Sequence, residues 1–268
     1  MLAVLNGHVK HRKGLTSMNS LKSGMELAMN AVKAPALVRQ KYHQKYHMDL
    51  ADFKSWDRQD WKRYIIGELL GAIPMLSYIA FFCLAFYFVE IIDHPSYFVF
   101  HSRLDELIPF REEFVLAYMS WFVYMILFVL FEYLFDKEAY RRESIYLYFG
   151  MTLLIVVSIV FPNMQDLRPA VMPRDNWFTQ KIWWLYSLDP PINVAPSIHV
   201  YDTVSVMITS RSCRHYIFKY RWVHWLINFM GIMIVASTLF IKQHSIYDVL
   251  LGFVCLMIPA FFMRQHRN

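Results

Sequence analysis

Two short segments hold residue types suited to phosphoryl transfer: Pro196-Ser197-Ile198-His199, and the stretch from Ser237-Thr238 to His244-x-x-x-Asp248. His244 and Asp248 are four apart, so on a helix they would share a face and could hydrogen-bond. The carboxylate would then fix the imidazole tautomer and stabilise its charged form, leaving the other ring nitrogen free to attack. His199, from a separate segment, has the chemistry of a general acid for a leaving alkoxide. Arg168 offers a planar fork of donors suited to phosphate oxygens. Pro196 and Ser197 read as a helix start whose first N–H groups would face the same anion. No set of metal ligands is evident, and the expected chemistry calls for no metal and no cofactor. Singly, each feature has a plain alternative. A His-x-x-x-Asp pair is common, and an Arg-Pro in a loop says little. Asp202, three residues after His199, is either a participant or a neighbour's partner.

The elements that must carry these residues are apolar. The chain has 268 residues, 57% of them hydrophobic and 18% aromatic, too apolar for an ordinary soluble domain. A crossing helix needs roughly 20 mostly apolar residues. Stretches that meet or approach this run from about Tyr64 to Ile92, Phe114 to Phe135, Ile145 to Phe161, Ser197 to Ser210, Trp222 to Ile241 and Ile246 to Met263. The fourth is short and carries His199 and Asp202. Without it, the segment between its neighbours would hold an unexplained apolar run, Val200 to Ile208.

Charge gives this layout an orientation. With six spans, 21 of the 27 Lys and Arg residues fall on the side of both termini and 6 on the other. The positive-inside rule therefore puts both termini in the cytoplasm. The fold expected is all-α: a six-transmembrane helical bundle over residues 64–268, preceded by a basic cytoplasmic or interfacial arm over residues 1–63. The net charge of +6 reads as a topology signal and not as a nucleic-acid footprint. Cys83, Cys213 and Cys255 are placed for no disulfide framework, and no secretory leader is expected. Arg168, His199, His244 and Asp248 then share one level at the non-cytoplasmic face. Ionisable groups at membrane depth are disfavoured and usually line a protein interior or a wet cavity.

This arrangement resembles the type-2 phosphatidic acid phosphatase superfamily. That family carries an Arg-Pro element, a Pro-Ser-x-His element and a Ser-Arg-x-x-x-x-x-His-x-x-x-Asp element. Arg168-Pro169, Pro196 to His199 and Ser237 to Asp248 appear in that order with the last spacing kept; the resemblance covers about residues 145–260. It implies that His244 is the nucleophile, Asp248 its partner and His199 the acid. It also implies that Arg168 and Ser237, with Ser197 at the helix start, bind phosphate. Three positions depart from the pattern. Phe161 stands where the family has Lys, Thr238 where it has Arg, and Ile198 where it has Gly. Lys242 and Arg174 are the candidates to replace the two cations. The missing cations are similar to the branch containing sphingomyelin synthases and inositol phosphorylceramide synthases, which move a phospho-headgroup between lipids. The resemblance thus implies a multi-pass enzyme, placed in the plasma membrane, whose partner is a lipid phosphate ester. Hydrolysis and headgroup transfer are both open; a non-catalytic membrane protein or transporter is the alternative from another class. Neither the lipid nor the oligomeric state is legible.

Overall fold

A computed structural model describes residues 57–92 and 94–265, with the backbone alone at 264 and 265. The expected arm lies outside the described residues except at its end, as do both termini. The chain divides into two compact units, Met1–Ser77 and Tyr78–Asn268. The first helix, α1 (Arg58–Ile91), runs across that division and through Pro74. It therefore begins six residues before the expected span at Tyr64. In the first unit Ile65, Ile66, Leu69, Leu70, Ile73 and Leu76 of this helix are exposed, and Met75 is buried. In the second unit, Tyr78 donates from its hydroxyl to the Tyr148 carbonyl.

The remaining helices all belong to the second unit. They are α2 (Arg103–Leu107), α3 (Val115–Phe135), α4 (Lys137–Val160), α5 (Trp177–Leu188), α6 (Ile198–Thr209), α7 (Arg221–Phe240) and α8 (Ile246–Gln265). Among the described residues, five helical stretches are long and apolar enough to cross a membrane. They are α1, α3 with its leading turn from Glu112, α4, α7, and α8 as far as Met263. The chain is therefore mostly helical with the composition of a membrane protein. Helix α4 starts eight residues before the expected Ile145, because Lys137–Ser144 is charged yet good helix-forming sequence. Hydropathy detects lipid contact, and that first stretch has little of it. Asp136 caps α4, accepting from Ala139 N–H at 3.0 Å.

Helix α6 is the shortest of the expected spans. Its 12 residues rise about 18 Å, against about 30 Å for a hydrocarbon core. Helices α3, α4, α7 and α8 surround it, so its polar residues Asp202, Thr203, Ser205 and Thr209 are buried by protein. Three glycines let the neighbours close on it. A Cβ at Gly150 of α4 would overlap the Tyr201 ring, and one at Gly231 of α7 would meet Met207 and Thr203. One at Gly252 of α8 would stand 3.0 Å from the Ser197 carbonyl oxygen. Small residues allow this approach where no apolar gain drives helices together.

The segment 162–196 contains structure that the sequence reading left as loop. Strand β1 (Phe98–Val99) pairs in parallel with β2 (Asn163–Met164), and α5 follows. Asn163 is fully buried and ties the two ends of this segment together. Its Oδ1 accepts from Ala195 N–H at 2.9 Å, and its carbonyl accepts from Asn193 N–H at 2.6 Å. The start of α6 and the approach to Arg168 are thus fixed to one another.

Candidate active site

His199, His244 and Asp248 meet at one end of α6. Ser197 is the N-cap, its Oγ accepting from Val200 N–H at 3.4 Å, so His199 lies in the first turn. The Tyr118 and Trp121 rings of α3 flank its imidazole, with centroids at 4.6 and 4.5 Å. His199 Nδ1 stands 3.5 Å from His244 Nε2 and 3.5 Å from the Tyr118 hydroxyl. On the far side of the second ring, His244 Nδ1 lies 3.5 Å from Asp248 Oδ2. That is ion-pair contact without hydrogen-bond geometry, and both His244 Nδ1 and Asp248 Oδ1 are buried without another partner. Asp248 on Nδ1 favours the tautomer whose lone pair is on Nε2, the nitrogen that faces His199.

The expectation that His244 and Asp248 share a helix face is corrected. Helix α8 begins at Ile246, so His244 precedes it. Asp248 instead helps cap that helix. Its Oδ2 accepts from Ser245 N–H at 2.8 Å, while Ser245 Oγ accepts from Tyr247 N–H at 3.2 Å. The pair meets because the turn leading into α8 is rigidly held. The Thr238 carbonyl accepts from both Gln243 and His244 N–H. Lys242 takes a left-handed φ of 57°, a strained conformation for a non-glycine residue.

Asp105 of α2 braces this turn, and sequence reasoning missed it. It is 1% exposed. Its carboxylate accepts from Ser245 Oγ at 2.6 Å, Ile246 N–H at 2.8 Å and Ser102 N–H at 2.8 Å. Three donors converge on one anion, so an amide nitrogen in its place would face another donor. In a catalytic reading of the site, Asp105→Asn is expected to lower turnover about 100-fold by displacing His244, with kcat falling more than KM rises. Steady-state kinetics on folded protein checks this; a wild-type kcat would remove Asp105 from the positioning of His244.

Arg168 reaches the same turn through Gln243. Its Nη2 donates to the Asp189 carbonyl at 2.8 Å and to Gln243 Oε1, and its Nη1 donates to the Tyr186 carbonyl at 3.3 Å. The guanidinium carbon lies 4.2 Å from the centre of the Tyr186 ring. Its Nε is buried without a partner, a donor left over for an anion. Gln165 ties the Arg168 segment to the turn, donating to the Lys242 carbonyl at 3.0 Å and accepting from Leu167 N–H at 2.6 Å. Burial lowers the Arg168 pKa, and the Asp189 charge opposes that shift. Burial raises the Asp189 carboxyl, and Arg168 and His244 pull it back. Asp189, Gln243, Gln165, Tyr118 and Trp121 all went unread, because nothing in their spacing marks them.

Four expected site residues stand elsewhere. Lys242 points its ammonium at the Asp105 and Ile108 carbonyls, both at 2.6 Å, where it fastens α2. Arg174 forms an ion pair with Glu112, Nε to Oε1 at 2.5 Å. Neither replaces the missing cations. Ser237 spends its hydroxyl proton on the Ile234 carbonyl of its own helix at 2.6 Å, leaving no donor for phosphate. Asp202 is fully buried, and neither of its oxygens has a partner, the histidines included. Ser197 does lie at the site, its N–H donating to the Asp248 carbonyl at 3.1 Å. Its role here is to start α6 beside Asp248.

No family model matches this chain, and no curated protein or solved structure matches it.

Proposed function

We propose that this chain is a membrane enzyme that breaks a lipid phosphate ester through a phosphohistidine on His244. The observation that carries the reading is the His199–His244–Asp248 line. One imidazole has a carboxylate on one nitrogen and a second imidazole facing the other at 3.5 Å. In the first step His244 Nε2 attacks phosphorus, and His199 gives a proton to the departing alkoxide. In the second, water attacks the phosphohistidine, His199 takes its proton back, and phosphate leaves. The Arg168 Nε–H and the first N–H groups of α6 stabilise the non-bridging oxygens. With phosphorus about 3 Å from His244 Nε2 and the leaving oxygen beyond it about 3 Å from His199, the two nitrogens must stand more than about 6 Å apart. The rings therefore part when substrate enters.

A second reading, transfer of a phospho-headgroup to an acceptor lipid, draws support from one observation. With Lys242 and Arg174 committed elsewhere, Arg168 is the one cation beside the turn among the described residues. A dianionic phosphate monoester is poorly matched by a single cation, while a diester carries one charge less. The deciding experiment is turnover of a panel of lipid phosphates by purified protein, with and without an acceptor alcohol. Inorganic phosphate released without acceptor supports hydrolysis. Product formed only with acceptor overturns it in favour of transfer, and no turnover of any member overturns the enzyme reading.

The acid role of His199 has its own test. His199→Ala should slow alkoxide-leaving substrates by about 10²–10⁴ and leave an aryl phosphate much less affected, since a good leaving group needs little protonation. Equal losses on both would assign His199 to positioning the phosphate.

We read α6 as the fourth of six spans, with both termini cytoplasmic and the histidines at the outer face of the plasma membrane. The 21-to-6 division of basic residues supports this. Val171 is 79% exposed in the segment before α5. In a variant without Cys83, Cys213 and Cys255, Val171→Cys should react with an impermeant thiol reagent in intact cells. Labelling only after lysis would invert the topology.

A further inference from the structure

A second polar cluster lies toward the opposite end of α6 from the histidines. Glu143 of α4 is fully buried; its Oε1 accepts from Ser205 Oγ at 2.6 Å and its Oε2 from Thr209 Oγ1 at 2.7 Å. Glu132 of α3 is also fully buried, yet neither of its carboxyl oxygens has a partner. It faces Glu143 and Asp136, and the Thr209 side chain reaches it. Cys213 also faces Glu132, and Tyr124, Tyr201 and Asp202 face Glu143. No Lys, Arg or His is among the groups acting on Glu132, Glu143 or Asp202.

Ser205 has one hydroxyl proton and two acceptors, Glu143 Oε1 and the Asp202 carbonyl at 2.7 Å. Thr209 likewise divides one proton between Glu143 Oε2 and the Ser205 carbonyl at 3.0 Å. Thr209 Oγ1 is the side-chain group within reach of Glu132, and its one proton is already divided between Glu143 and the Ser205 carbonyl, so an ionised Glu132 has no donor of its own and a protonated one has only that shared oxygen. Buried acids without partner or counter-charge are strongly disfavoured and point to a bound species.

We propose that Glu132 and Glu143, with the hydroxyls of Ser205 and Thr209, bind one small monovalent cation of the sodium class. Every ligand is a hard oxygen, which suits an alkali cation better than zinc or copper. Among the described residues no three His, Cys, Asp or Glu side chains converge as a metal set, so the charge expected around a divalent ion is missing. One cation and one shared proton make the glutamate pair neutral, the state a low-dielectric interior favours. Because α6 supplies two of the ligands and also His199, occupancy fixes the seat of the helix that carries the acid.

Thermal unfolding of the purified full chain tests this without reading catalysis. At fixed pH and ionic strength, sodium chloride should raise Tm above choline chloride by about 3–6 °C at ten times the Kd, and saturably. The gain should vanish in Glu132→Gln and in Thr209→Val, and persist in Glu138→Gln, whose partners are Arg141 and Arg142. Should Glu132→Gln fail to fold, Thr209→Val carries the test alone. Equal Tm in both salts overturns the proposal, as does a sodium response unchanged in these variants. A Tm that rises only on acidification, whatever the salt, overturns it in favour of proton binding.

Discussion

Replacing His244 with alanine should lower turnover by about 10⁴–10⁶ and abolish any covalent phospho-enzyme, because the route through the intermediate disappears with its nucleophile. Folding should survive. His244 is buried, but the turn around it is held by other groups: the Thr238 carbonyl, the Ser245 N–H to Asp248 bond and the Asp105 carboxylate. Rapid quenching with a ³²P-labelled substrate measures the intermediate, and the detergent-extracted elution profile reports the fold. Label retained on the variant at the wild-type level would remove His244 from the covalent step and move attention to His199.

Arg168→Lys should lose about 10²–10³ in kcat/KM, even though the charge is kept. The guanidinium does two jobs that an ammonium does not. It bridges the Tyr186 and Asp189 carbonyls and Gln243 while lying against the Tyr186 ring. It also keeps the buried Nε–H for an anion. A lysine ammonium is a point charge with no fork, and it would leave at least one of those acceptors unserved. Steady-state kinetics with a saturable lipid phosphate measures the loss. Activity within threefold of wild type would show that charge alone matters, and that the anion sits on the α6 N-terminus.

The parts of the fold that face lipid were legible, because a bilayer imposes length and composition on each crossing helix. Spans beginning near Val115, Arg221 and Ile246 stand within a residue of expectation for that reason. Helix α6 was legible through its start: Pro196-Ser197 before an apolar run marks an N-cap wherever the helix then goes. Outside the apolar stretches the signal fades. Helix α5 is too short to be one of the crossing stretches, and the first two turns of α4 are charged. His199, His244 and Asp248 could be singled out because ionisable residues are rare beside apolar stretches of this length, and the structure brings the three together. Their supports could not. Asp105 acts on a turn about 140 residues further along the chain, and Lys242 read as a phosphate ligand because sequence gives a cation its place but not its direction. The same blindness explains the helix-face error at His244. An i, i+4 spacing fits a helix interior and a helix start equally well, and only the capping bonds of Ser245 and Asp248 distinguish them.

The three glycines that seat α6 carry a consequence for genetics. Gly150, Gly231 and Gly252 lie on three different helices and touch neither the histidines nor Arg168, yet each is the contact point of a neighbour on α6. A selection for loss of function would therefore return alleles at these positions beside those at His199 and His244. The two groups would separate on suppression. An alanine at Gly231 meets the flexible end of Met207 and is open to rescue by a smaller residue there. No second-site change gives back a missing imidazole.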